Sequence, residues 1–96
     1  MKFDWDSVKE QKNLEKHGVS FEQACYVFSD TFALTLFDQH HSELEDRWIL
    51  LGKSFNETLL TVVHTYKDRD GVEFVRIISA RKATKNEAKV YQQRCQ

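Results

Sequence analysis

Two arginines bracket the run Arg76-Ile77-Ile78-Ser79-Ala80-Arg81. A charge on so apolar a run must reach solvent, an anion or a carboxylate. Guanidinium groups stay protonated at any working pH and match phosphate oxygens two at a time. Acids of the N-terminal half can also hold these arginines in internal ion pairs, and the sequence leaves both readings open. His64 is in step with Val62 and Tyr66. An imidazole there can move a proton near neutral pH, or simply donate to a backbone carbonyl. Tyr91 can stack on a base or donate through its hydroxyl, and can equally be core with a wet edge. Lys9, Lys12 and Lys16 recur at helical spacing as one basic stripe, interrupted nearby by Glu10 and Glu15. The stripe fits a phosphate path or an ordinary solvated face. His40 and His41 are adjacent, but no spaced cysteine or carboxylate completes a metal site, so no metal or other cofactor is expected.

These groups need elements to position them. Ser7 and Glu10 have capping-box spacing, which predicts a helix ending near His17 and Gly18. Ser20 and Gln23 repeat the spacing, and Phe21, Ala24, Cys25 and Phe28 then fall on one helical face. Ala33–Asp38, Arg47–Lys53, Leu59–Lys67 and Glu73–Ala80 read as strands rich in β-branched and aromatic residues. Asp68-Arg69-Asp70-Gly71 is a hairpin signal, because Gly71 tolerates positive φ. The segment from Gln39 to Asp46 reads as a polar loop. Thr84 and Glu87 cap a last helix, with Ala88, Tyr91 and Cys95 as its packing stripe. The expected fold class is α+β: two N-terminal helices, a four-stranded antiparallel sheet and a C-terminal helix.

A length of 96 residues fits one domain spanning 1–96. Hydrophobic residues at 41% and charged residues at 30% exclude a disordered tail. No apolar run reaches the roughly 18 residues of a spanning helix, and no secretory signal is apparent, so a cytoplasmic protein without membrane contact is expected. Cys25 and Cys95 form no CxxC pair, which suits a reducing compartment. The net charge of −1 hides a split: residues 1–57 carry −5 and residues 58–96 carry +4. A basic C-terminal half can face nucleic acid, or complement the acidic half within the fold.

The order of several motifs resembles the BrnT toxin family of bacterial and archaeal toxin–antitoxin modules. The matching pieces are Phe3-Asp4-Trp5-Asp6, Lys16-His17-Gly18-Val19-Ser20-Phe21, Asp46-Arg47-Trp48 and Gly52. The longest is Arg76-Ile77-Ile78-Ser79-Ala80-Arg81-Lys82-Ala83, followed by Glu87 and Tyr91. Many members have Glu-Arg-Trp where this chain has Asp46-Arg47-Trp48. The resemblance implies a compact RelE-like fold and a metal-independent endoribonuclease toxin that inhibits translation. It also implies a BrnA-like protein antitoxin, with operator DNA reached only through that complex. On this reading His64, Arg76, Arg81 and Tyr91 are the catalytic candidates. Lys9, Lys12, Lys16, Arg47, Lys82 and Lys85 are the candidates for binding RNA. The competing reading is a catalytically silent protein that pairs with a DNA-binding partner in transcriptional autoregulation.

Overall fold

Alternating apolar residues build the sheet, and a short N-terminal segment adds a strand that local sequence does not announce. The computed structural model describes residues 1–40 and 45–95. The chain runs β1 (Lys2–Trp5), α1 (Ser7–His17), α2 (Phe21–Cys25), a 3-10 turn (Tyr26–Ser29), β2 (Leu34–Phe37) and β3 (Trp48–Lys53). A second 3-10 turn (Phe55–Glu57), β4 (Leu59–Arg69), β5 (Val72–Lys82) and α3 (Lys85–Arg94) follow. The sheet order is β1-β5-β4-β3-β2. β2 to β5 form the expected antiparallel meander.

The sheet therefore has five strands and is mixed, where four antiparallel strands were expected. β1 pairs parallel with β5, Lys2 opposite Phe74 and Trp5 opposite Ile77. Four residues cannot hold an extended conformation alone, and β1 exists only through a partner some 72 residues away. Its apolar side chains point to the helices. Phe3 meets Phe28 edge to face at 5.1 Å, and Trp5 meets Phe21 at 6.1 Å. Lys2 and Asp4 consequently point to the other face.

α1 starts one residue before the expected cap. Asp6, not Ser7, caps α1, accepting from the N–H groups of Val8 and Lys9. Glu10 instead reaches the N–H of Phe21 at 3.1 Å, tying α1 to α2. Gly18 closes α1 at φ 68°, as expected. α1 meets the sheet through a polar residue, because Val8 and Leu14 are exposed while Asn13 is buried. The Asn13 amide donates to the carbonyls of Val19 and Ala80, and its oxygen accepts from the Ala80 N–H. Ser20 caps α2, but Gln23 donates across to Ser54 instead of closing a box. Between helices and sheet lies the core, with Phe21, Ala24 and Val27 on one side and Leu60, Val62 and Ile77 on the other.

The β4–β5 turn has Asp70 at φ 53° and Gly71 at φ 83°. Two successive positive values give the turn whose twist matches a two-residue hairpin. Asp68 secures it by accepting from the Gly71 N–H at 3.0 Å. At the far end Thr84 and Glu87 form the full capping box of α3. Its packing stripe stops at Tyr91, since Cys95 is exposed.

Candidate nucleic-acid interface

Strand alternation gives the sheet two faces with different chemistry. His64 points to the helical face, its ring against Phe28 at 4.9 Å. Arg76 is directed to the opposite face, where Nη1 pairs with Asp4 Oδ2 at 3.1 Å. That ion pair with an acid of the N-terminal half is one of the two readings the sequence left open. Both side chains are about half exposed or more, 47% and 67%, so the arginine remains reachable by an external anion.

Arg81 lies five residues further along β5, an odd number that strict alternation would turn to the helical face. The pairing steps from Val63–Ser79 to His64–Ile77, leaving Ile78 as an extra residue. This bulge returns Arg81 to the face of Arg76. The two stand opposite Thr61 and Thr65 of β4, hence about 13 Å apart along the strand. Arg81 is engaged by Glu87, Nη1 to Oε1 at 2.8 Å and Nη2 to Oε2 at 3.0 Å. Glu87 also accepts from Thr61 Oγ1 and the Thr84 N–H. The Arg81 pairing outweighs burial and draws the Glu87 carboxyl down to about 2.

Tyr91 belongs to a neighbouring contact. Its hydroxyl donates to Asp30 Oδ2 at 2.5 Å, and the ring lies 5.9 Å from Lys53 Nζ. Burial, then the Asp30 carboxylate, pushes the phenol well above the usual tyrosine range. Asp30 also accepts from the N–H groups of Lys53 and Phe32. Thus Arg81 fastens α3 to β5, and Tyr91 fastens it to the Asp30 segment, which in turn bonds the end of β3.

His64 is buried, at 5% exposure, and its Nδ1 has no hydrogen-bond partner. Burial lowers its pKa, with the Val62 carbonyl opposing more weakly. The unfolded chain therefore takes up a proton near pH 6.5 that the folded chain refuses. The His64 contribution to stability should fall as pH drops through that value and be absent as a penalty above it. An NMR titration should place the His64 ring proton transition below that of a free histidine. A transition at or above the free value would contradict the burial argument.

The remaining candidates scatter. Lys9, Lys12 and Lys16 are exposed on α1, in the helical layer, and Lys82 and Lys85 are exposed around the start of α3. Arg47 immediately precedes Trp48, which pairs with His64, so alternation gives it the parity of the Arg76 face. His41 lies outside the described residues. Among the described residues, no three His, Cys, Asp or Glu side chains are grouped to hold a metal ion.

Around Arg76 the opposite face forms an open trough of about 440 Å³. Lys2, Lys67, Arg69 and Arg76 supply its cations, while Asp4 and Glu45 supply carboxylates. Phe74 lies in its wall with 39% of its surface exposed. Lys2, Lys67, Arg69 and Phe74 were not singled out from the sequence. Their signal was the same-parity spacing of Lys67 and Arg69 on β4 and of Phe74 and Arg76 on β5. Lys2 becomes legible only once β1 is read as a strand.

The family described as "Ribonuclease toxin, BrnT, of type II toxin-antitoxin system" matches residues 5–87. The crystal structure of the Brucella abortus ribonuclease toxin BrnT is similar at 26% sequence identity, with a TM-score of 0.63. The similarity covers 88% of this chain and 99% of that one. No curated protein sequence matches the chain.

Proposed function

The chain belongs to the BrnT family of ribonuclease toxins of type II toxin–antitoxin systems, with the RelE-like fold, and from that premise we propose that it is a cytoplasmic, metal-independent endoribonuclease whose RNA lies in the Arg76 trough. The observation that carries this reading is the convergence of four cations from three strands on one open face. Phosphate recognition needs such a surface, and a total charge near zero does not preclude a local one.

The chemistry is transesterification. The ribose 2′-oxygen forms a bond to the neighbouring phosphorus as the bond from phosphorus to the 5′-oxygen breaks, and the 5′-oxygen leaves as a hydroxyl with a proton from water in the open trough. Arg76 faces the negative charge that grows on the non-bridging oxygens, leaving Asp4 for the phosphate. Asp4 and Glu45 are the carboxylates of the trough suited to receive the 2′-hydroxyl proton. Arg47 extends the cationic face toward β3. Arg81 and Tyr91 act by holding α3 in place. His64, on the other face, takes no step in this scheme. A BrnA-like antitoxin neutralises the enzyme, operator DNA is engaged only through that complex, and unrestrained cleavage inhibits translation.

Purified protein incubated with RNA in excess EDTA should generate fragments with 2′,3′-cyclic phosphate and 5′-hydroxyl ends. An RNA with 2′-deoxy positions at the cut sites should survive. Cleavage that disappears with EDTA and returns with a divalent ion would sink the metal-independent scheme. Tight antitoxin binding without any cleavage would favour the silent-partner reading.

A further inference from the structure

The trough contains a row that goes beyond phosphate binding. Phe74 of β5 stands opposite Lys2 of β1 on one side and Lys67 of β4 on the other. The next row, two residues along, is Asp4, Arg76 and Thr65. All six have the parity of the trough face. The ring is thus an exposed aromatic between two lysines, with an arginine beside it on the same strand. Adjacent strands are about 4.8 Å apart, so the two lysine backbones are separated by about 10 Å, with the ring midway.

Phe74 keeps 39% of its surface exposed between two cations, an apolar patch within a charged row. A nucleotide meets both demands at once. Its base has a π-face for the ring, and its flanking phosphates have charges for the lysines. Sequence alternation explains why the arrangement is rigid. Phe74 is fixed between Val75 and the β4–β5 hairpin, and each lysine projects from a paired strand rather than a loop.

We propose that Phe74 is a base-stacking platform, clasped by Lys2 and Lys67, that restricts the trough to unpaired RNA. The proposal rests on the ribonuclease reading for the identity of the polymer, and it adds the strandedness of the substrate. A paired base keeps both faces inside its helix and cannot reach the ring. An unpaired base can turn out, stack on Phe74, and leave its own phosphate beside Arg76. Selectivity would then come from unstacking and not from the order of bases, because every base offers a π-face.

The test uses a fluorescein-labelled 2′-O-methyl RNA hexamer, which has no free 2′-hydroxyl and cannot be cut. Fluorescence anisotropy at fixed low salt gives its affinity for the full chain. Phe74→Ala should weaken binding roughly five- to hundredfold, the effect of removing one stacked base. Phe74→Trp should retain or improve it, and Phe74→Leu, which keeps apolar bulk without a π-face, should behave like alanine. An abasic hexamer should bind wild type and Phe74→Ala equally weakly. The hexamer annealed to its complement should show no dependence on Phe74. Equal hexamer affinities for wild type and the leucine variant, both folded by circular dichroism, would overturn the platform. So would an equal loss on the duplex. Hexamer binding that depends on Phe74 in a protein that cuts no RNA would leave the platform standing and defeat the nuclease reading. Cleavage of unpaired RNA without any Phe74 dependence would do the reverse.

Discussion

Arg76→Ala should lower RNA cleavage by about 10²–10³-fold while leaving the protein folded. The size follows from losing one charged contact to the crowded phosphate, worth a few kcal/mol in the transition state. The retention of fold follows from exposure. Arg76 and Asp4 are 47% and 67% exposed, and an ion pair so open to solvent contributes about 0–1 kcal/mol at most. Asp4 left alone then remains hydrated instead of becoming a buried unpaired charge. Arg76→Lys should recover only part of the rate, because an ammonium cannot grip two phosphate oxygens at once. Single-turnover cleavage of a labelled RNA, beside thermal melting of each variant, separates the two effects. A large fall in melting temperature for Arg76→Ala would identify the arginine as a structural group.

Glu87→Ala should cost about 2–3 kcal/mol of stability, and hence about 10–20 °C in melting temperature for a domain of this size. One carboxylate receives both Arg81 contacts, the Thr61 hydroxyl and the Thr84 N–H. Its loss releases the start of α3 and leaves four donor atoms without this acceptor. The size is kept modest because the Glu87 and Arg81 side chains remain 28% and 41% exposed. The pH dependence gives an independent check. The folded carboxyl lies at about 2, below the ordinary 4.5, so its stabilisation is present above pH 4.5 and is lost as pH falls toward 2. Urea unfolding at pH 7 and pH 3 should show the gap between wild type and Glu87→Ala shrinking to roughly half. An equal gap at both values would mean that the charge pair is not its source.

The parts legible in the sequence were those governed by local geometry. The meander, the Asp70-Gly71 turn and the Thr84–Glu87 box each depend on residues a few positions apart. The parts that were hidden depend on distant pairing. β1 has too few residues to announce a strand, and its partner is at the other end of the chain. The bulge at Ile78 has no proline or glycine to mark it, yet it decides that Arg81 shares a face with Arg76. The same limit governed the site. Charge and residue type picked out Arg76 and Arg81, but only the tertiary contacts show Asp4 beside the first and Glu87 gripping the second at two points. Alternation along β4 had already put His64 in step with Val62, and the structure buries both on the helical face.

The parallel pairing of β1 has a consequence for the order in which the trough can form. A ribosome delivers Lys2 and Asp4 first, but β5 is among the last segments to emerge. Until then the nascent chain has no partner for β1, and the trough lacks one wall. α1 waits for the same strand, because Asn13 reaches the sheet through Ala80 of β5. The sheet topology thus makes the trough a late product of synthesis, assembled from the first strand and the last.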